Sequence, residues 1–98
     1  MGRIEVFNKF KRLYYWLHHE CYNKLLNLDH CSEEFYLQFI FVNRIIRHAD
    51  NELILMNNFR YRSFEISEVE ELKSKYEILK NGFEDLKTKY SAMINQNL

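Results

Sequence analysis

The chain contains no proline and two glycines, Gly2 and Gly82, among its 98 residues. Tight turns depend on these residue types, and sandwiches, barrels and doubly wound sheets need many such turns. Glycine-rich phosphate loops and dinucleotide fingerprints are excluded for the same reason. The composition, 47% apolar and 29% charged, is typical of a globular chain. We therefore predict an all-α fold, a three-helix, bundle-like single domain over residues 1–98.

Residues 68–94 carry the clearest helical pattern. Their apolar residues alternate at spacings of three and four, which predicts a long heptad helix with a narrow a/d seam. Ser67 and Glu70 have the spacing of a capping box, so we expect the helix to begin after Ser67. Acidic residues three or four positions before lysines predict ion pairs that outweigh the cost of Gly82 inside the helix. The predicted seam consists of Val69, Leu72, Tyr76, Leu79, Phe83, Leu86, Tyr90 and Met93.

Lysines dominate the heptad positions that flank this seam. In a coiled coil formed by two copies of the helix, these lysines would face each other, which disfavours pairing. We therefore expect the seam to pack against a different helix, either from the same chain or from an acidic partner. The flanking lysines are Lys73, Lys75, Lys80, Lys87 and Lys89.

Residues 3–27 predict a first helix with a wide apolar stripe facing the core. A second, narrower stripe holds Ile4, Tyr15, Tyr22 and Leu26. Trp16 belongs to neither stripe and lies among charged residues on the polar face. A tryptophan in such a place either packs under a neighbouring loop or anchors an interface, and we predict an interface anchor.

Residues 33–57 predict a middle helix, with Ser32 as its N-cap. This helix is apolar nearly all round, so we expect it to be the most buried element. Its predicted core stripe is Phe35, Phe39, Val42, Ile46, Ala49, Leu53 and Met56. Residues 53–66 are ambiguous: we favour the end of the helix followed by an irregular connection, and the alternative is a small β-hairpin.

His18, Cys21, His30 and Cys31 form the densest group of potential metal ligands. Their spacing matches no zinc motif, and two cysteines are too few for a disulfide framework. Paired carboxylates occur beside lysines, as solvated ion pairs do, and no histidine lies in a recognisable catalytic motif. We predict no catalytic residue, no metal and no cofactor, with a metal-stabilised helical domain as the third hypothesis.

The apolar surplus of the middle helix suggests more apolar surface than a domain of this size covers, which favours an oligomer or an obligate complex. We predict a non-enzymatic protein that binds and occludes a macromolecular partner, most simply another protein. Small virus- or plasmid-encoded inhibitors of host or defence enzymes share this size and lack of chemistry, an analogy of type alone. The candidate partner-binding residues are Trp16, Tyr15, Tyr22, Arg44, Arg47, Arg60, Tyr61 and Arg62.

The alternative function is a nucleotide- or RNA-binding module. Arginines and exposed tyrosines serve phosphate binding and base stacking. This module would use Arg44, Arg47, Arg60, Tyr61 and Arg62, although a net charge of zero argues against a general nucleic-acid coat. The apolar runs are too short to span a membrane and the start does not resemble a signal peptide, so we expect a cytoplasmic protein.

Overall fold

A computed structural model describes residues 2–96, and their side chains as far as residue 92. The chain forms α1 (Arg3–Tyr15), a π-helical segment (Trp16–Tyr22), α2 (Asn23–Asn27), α3 (Glu33–Asn57) and α4 (Ser63–Gln96). The first three elements run on without a break and are called the N-terminal helix below. The prediction of an all-α, three-helix fold is confirmed. No strand occurs within residues 2–96, so the alternative of a hairpin at 53–66 is wrong.

The three helices run up, down and up. Lys9 pairs with Glu52, and Trp16, farther along the N-terminal helix, contacts Phe41, which is earlier in α3. The N-terminal helix and α3 are therefore antiparallel. The 34 residues of α4 span about 51 Å at 1.5 Å per residue, and the longest dimension of the molecule is 53 Å. The length of α4 thus sets the length of the bundle.

The core is one cluster between the three helices. The seam of α4 is buried in this cluster from Val69 to Leu86, against helices of the same chain, and Tyr90 is partly buried beside it. Met93, predicted to continue the seam, lies outside the residues whose side chains are described. The largest fully buried side chains are Tyr76, Phe10, Phe35, Phe83, Leu17, Leu25, Met56, Val6 and Val42.

The middle helix, α3, is not the most buried element, and that expectation is wrong. Its buried residues are no more numerous than those of the N-terminal helix, because two neighbouring helices cover only part of its circumference. Ile45 and Glu52 occupy buried positions, whereas Ile46 and Leu53, predicted for the core stripe, are partly buried. The large apolar residues left exposed on α3 are Tyr36, Leu37, Ile40, Phe41, Ile54 and Leu55.

The start of α4 also differs from the prediction, because the helix begins at Ser63 and encloses Ser67. The Glu65 carboxylate accepts a hydrogen bond from the backbone N–H of Arg62 at 2.9 Å and two from the Arg3 guanidinium, each at 3.1 Å. These bonds, that of Arg3 foremost, lower the pKa of Glu65 below its ordinary value. The capping box at Ser67–Glu70 is therefore wrong: a contact with α1 stabilises an earlier first turn.

The π-helical segment keeps one face of the N-terminal helix on the core. An α-helix turns by about 100° per residue, so the 19 residues from Val6 to Leu25 would carry Leu25 roughly 100° away from the face of Val6. The wider turns of a π-helix advance less per residue and offset this drift. As a result, Val6, Leu17, Cys21 and Leu25 are all buried.

A polar network joins α3 to α4 at the edge of the core. The Tyr76 hydroxyl donates to the Asp50 carboxylate at 2.6 Å, and the Lys80 ammonium donates to both Asp50 oxygens at 3.0 Å. Burial, together with the bond to Asp50, raises the pKa of the Tyr76 phenol above its ordinary value. Lys80 thus pairs across helices with Asp50, and not with Glu77 as its spacing predicted.

Candidate protein-interaction surface

Trp16 lies at the junction of the N-terminal helix and α3. Its ring packs edge-on against the ring of Phe41, with centroids 5.8 Å apart and an interplanar angle of 68°. Trp16 nevertheless remains 45% exposed and Phe41 44% exposed. The two rings, called the aromatic pair below, therefore fix each other's position while both still present apolar surface to the outside.

The exposed apolar surface continues from the aromatic pair along α3. Leu37 lies one helical turn before Phe41. Ile40, three residues after Leu37, neighbours Leu37 on the outward face of the helix. Both side chains are exposed. Trp16, Phe41, Leu37 and Ile40 together form a contiguous apolar ridge that crosses from one helix to the next. Contiguous apolar surface of this kind is typical of an interaction site.

Arginines follow the ridge on the next turns of α3. Arg44 and Arg47 are both exposed, and within the described residues neither forms an ion pair. The sequence between Glu34 and Asp50 contains no acidic residue. The middle of α3 therefore presents positive charge beside apolar side chains, a combination found where Arg borders the buried centre of a protein interface.

A second helix adds charge to the same place. The Lys9–Glu52 ion pair, whose Nζ and Oε1 atoms are 3.0 Å apart, and the aromatic pair fix the register of the two helices, and helical spacing then places exposed Arg12 and His48 along the groove between these two contacts. With Arg44 these two residues form the cationic groove. Arg12 and Phe41 are not among the partner-binding residues predicted from the sequence. Two sequence features point to them. Arg12 lies one helical turn before Trp16, and Phe41 is an apolar residue outside the predicted core stripe of the middle helix.

Tyr15 and Tyr22 lie elsewhere, along the groove between the N-terminal helix and α4. Tyr15 is as exposed as Trp16 but packs on Tyr14 and stacks on His19, with ring centroids 5.5 and 5.6 Å away. Tyr22 is partly buried and packs edge-on against Phe83 at 5.2 Å. The structure does not bring either tyrosine together with Trp16.

Tyr22 explains the glycine in α4. A Cβ atom at Gly82 would lie 3.1 Å from the Tyr22 hydroxyl oxygen and 3.2–3.3 Å from two ring carbons. These distances are shorter than ordinary van der Waals contact. Gly82 therefore makes room for the tyrosine ring, at the cost in helix propensity that the sequence predicted.

Arg60, Tyr61 and Arg62 lie in the connection between α3 and α4. The Tyr61 hydroxyl is buried without a hydrogen-bond partner among the described residues, and burial raises its pKa. Arg47 lies ten residues before the end of α3, about 15 Å along the helix axis. The five residues of the nucleotide- or RNA-binding alternative are therefore split between two surfaces, and the tyrosine does not present its hydroxyl to solvent.

The four potential metal ligands are held by separate contacts. Cys21 is buried in the core, which raises its pKa, and His18 stacks on Tyr14 with ring centroids 5.7 Å apart. His30 packs on Phe35, while Cys31 is exposed. In the described part of the chain, no three His, Cys, Asp or Glu residues cluster as metal ligands would.

None of the described helices combines the length and the apolar character needed to cross a membrane. Comparison of the chain with family models, with curated proteins and with solved structures finds no match.

Proposed function

We propose that this chain is a non-enzymatic interaction protein that binds another protein through the apolar ridge and occludes part of that partner's surface. The carrying observation is the aromatic pair, in which Trp16 and Phe41 brace each other and yet stay about half exposed. Rigid aromatic side chains lose little conformational entropy on binding and dominate the energetics of many interfaces. We place this activity in the cytoplasm, and inhibition of an enzyme is one form that such occlusion takes.

The neighbouring residues support a role in binding. Exposed Leu37 and Ile40 extend the apolar area, and Arg44 lies at its border. Interfaces commonly have an apolar centre enriched in aromatic residues, surrounded by a polar rim to which Arg contributes. The ridge has this arrangement, and it lies on a helix whose opposite face is fixed in the core.

A second copy of this chain is a less suitable partner. Pairing of α3 with α3 about a two-fold axis would place the same surface on both sides of the interface. Arg44 and Arg47 of one copy would then lie near those of the other, without acidic residues between them. Like charges across an interface disfavour binding, so we propose a complex with a different protein over a homo-oligomer.

The test compares Trp16→Ala with Tyr15→Ala. Tyr15 is the matched control, because it is aromatic, adjacent in sequence, equally exposed at 45%, and faces the other groove. We expect Trp16→Ala to weaken partner binding by about 2 kcal/mol or more, and Tyr15→Ala to leave it unchanged. The partner is captured from a lysate of the source cells by the immobilised chain, purified, and titrated by calorimetry.

Thermal melting of both variants separates binding from folding. Both should remain folded, since both side chains are about half exposed. Loss of binding in Tyr15→Ala but not in Trp16→Ala would move the interface to the groove between the N-terminal helix and α4. Full binding in both variants would contradict the proposal.

A further inference from the structure

We propose that the segment recognised by this surface is an acidic amphipathic helix, whose apolar side chains cover the ridge and whose carboxylates enter the cationic groove. This inference rests on the proposed function and adds to it the chemistry of the partner. It is carried by the helical spacing of exposed Arg12, Arg44 and His48, which places Arg12 one turn before Trp16, and Arg44 and His48 one and two turns after Phe41.

The exposed charges that border the cationic groove are positive. The groove is bounded at one end by the aromatic pair and at the other by Glu52, a buried carboxylate whose Oε1 pairs with Lys9 and whose Oε2 has no hydrogen-bond partner among the described residues. Arg12 and Arg44, which come from two different helices, are both exposed and form no ion pair within the described part of the chain. Carboxylates placed between them would gain charge-assisted hydrogen bonds, and guanidinium groups bind carboxylates in a bidentate manner.

The shape of the surface favours a helix over an extended segment. The ridge and the groove lie along the junction of two antiparallel helices, and a third helix packs readily along such a junction. Leu37 and Phe41 are one turn apart, and Arg44 follows within the next turn. A helix that presents apolar residues at i, i+3 and i+4 with carboxylates one turn farther on would match this order.

The acidic face of α4 in a second copy does not meet this requirement. Glu77, Glu84 and Asp85 are exposed there, with Ile78 as the one large apolar side chain near them. Phe64 and Ile66, exposed at the start of α4, are two residues apart and so lie on different sides of the helix. A single isoleucine would leave most of the ridge uncovered. The carboxylates of this face could pair with the arginines of the groove, but its apolar side chains could not cover the ridge. We therefore infer that the partner segment belongs to another protein.

The experiment uses two synthetic helical peptides of about 18 residues, long enough to form a helix on binding. They carry identical leucines at i, i+3, i+4 and i+7 and differ only in their flanking residues, which are glutamate in one and lysine in the other. Binding to the full chain is measured by fluorescence anisotropy at low and at high salt. We expect the glutamate peptide to bind at least about tenfold more tightly at low salt, and the preference to shrink as salt screens it.

Variants assign the preference to the groove. Arg12→Gln combined with Arg44→Gln should reduce the preference for the glutamate peptide to about twofold or less. Lys87→Gln combined with Lys89→Gln removes two exposed charges from α4 and should leave the preference unchanged. Trp16→Ala should weaken the binding of both peptides by a similar factor, because it removes apolar contact and leaves the charges of the cationic groove unchanged.

Equal binding of the two peptides, or saturable binding of neither, would overturn this inference. Tighter binding to phosphatidylserine vesicles or to an oligouridylate, lost in the same double arginine variant, would also overturn it and assign the groove to lipid or RNA phosphates. The proposed function fails separately, if Trp16→Ala still captures the natural partner. A chain that needs Trp16 for capture but shows no charge preference retains the proposed function and loses this inference.

Discussion

The outward faces of α3 and α4 differ although their inward faces are alike. Both helices bury a row of aromatic and aliphatic side chains in the same core cluster. Outside, α4 presents acids, lysines and small polar residues after Ile66, with Ile78 isolated among them, and Phe64 and Ile66 are exposed at its start. The outward face of α3 instead carries Phe41, which packs on Trp16, together with exposed Leu37 and Ile40 and two arginines that follow them.

This difference separates the residues that fold the chain, on the inward faces, from the residues available for binding, on the outward faces. The inward faces suffice to explain three helices around one core, and the outward face of α4 over residues 67–92, where Ile78 is the one large apolar side chain exposed, shows that a helix of this bundle tolerates a largely polar exterior. Apolar residues on the outward face of α3 are therefore not required by the fold. Three of them, Leu37, Ile40 and Phe41, fall within five residues of α3, and Phe41 packs directly on exposed Trp16.

The largest expected effect concerns the inward faces. Leu86 is 3% exposed in the seam of α4, so Leu86→Ala should lower the free energy of unfolding by about 2–5 kcal/mol through lost burial and a residual cavity. Glu77→Ala, at an exposed position whose carboxylate forms no ion pair among the described residues, should change it by less than about 0.5 kcal/mol. Urea denaturation followed by circular dichroism measures both. Similar losses in the two variants would refute the distinction between inward and outward faces of α4.

A smaller effect is expected at Gly82, the one glycine inside α4. Replacing glycine by alanine in a helix interior normally stabilises by about 1 kcal/mol, but here the new methyl group would press on the Tyr22 ring. We therefore expect Gly82→Ala to stabilise the Tyr22→Ala variant by about 1 kcal/mol and the parent chain by clearly less. A double-mutant cycle from four thermal melts tests this. Equal effects in both backgrounds would show that Tyr22 does not constrain position 82.

The sequence predicted those parts of the fold that depend on local periodicity. The observed α3 covers the residues predicted for the middle helix, because Ser32 caps it through a 3.1 Å hydrogen bond from the Phe35 N–H and the apolar spacing continues to Met56. The start of α4 was predicted at Ser67, because the competing bond between Arg3 and Glu65 joins residues 62 positions apart. The π-helical segment was not predicted, because the apolar stripe of residues 3–27 does not determine how many residues each helical turn contains.

The candidate surface was predictable only in part. Trp16, Arg44 and Arg47 could be found from their places on helical faces, since an exposed tryptophan among charged residues is conspicuous in sequence alone. Phe41 and Arg12 acquire a role through the packing of two helices that are distant in the chain, which no local pattern contains. The same packing separates Tyr15, Tyr22 and Tyr61 from this surface, although the sequence grouped them with it.

The smallest effect on stability is expected for a matched pair on the two outward faces. Leu37 on α3 and Ile78 on α4 are both exposed, at 55% and 73%. Glutamine has a helix propensity close to that of leucine, so Leu37→Gln and Ile78→Gln should each change the free energy of unfolding by less than about 0.5 kcal/mol. Their effects on binding should differ, because Leu37 extends the apolar ridge and Ile78 lies on another face. Leu37→Gln should measurably weaken binding of the captured partner in calorimetry, whereas Ile78→Gln should leave this binding unchanged. If the two variants bound alike, the apolar exterior of α3 would be no more than tolerated surface, and the contrast between the two helices would carry no functional meaning.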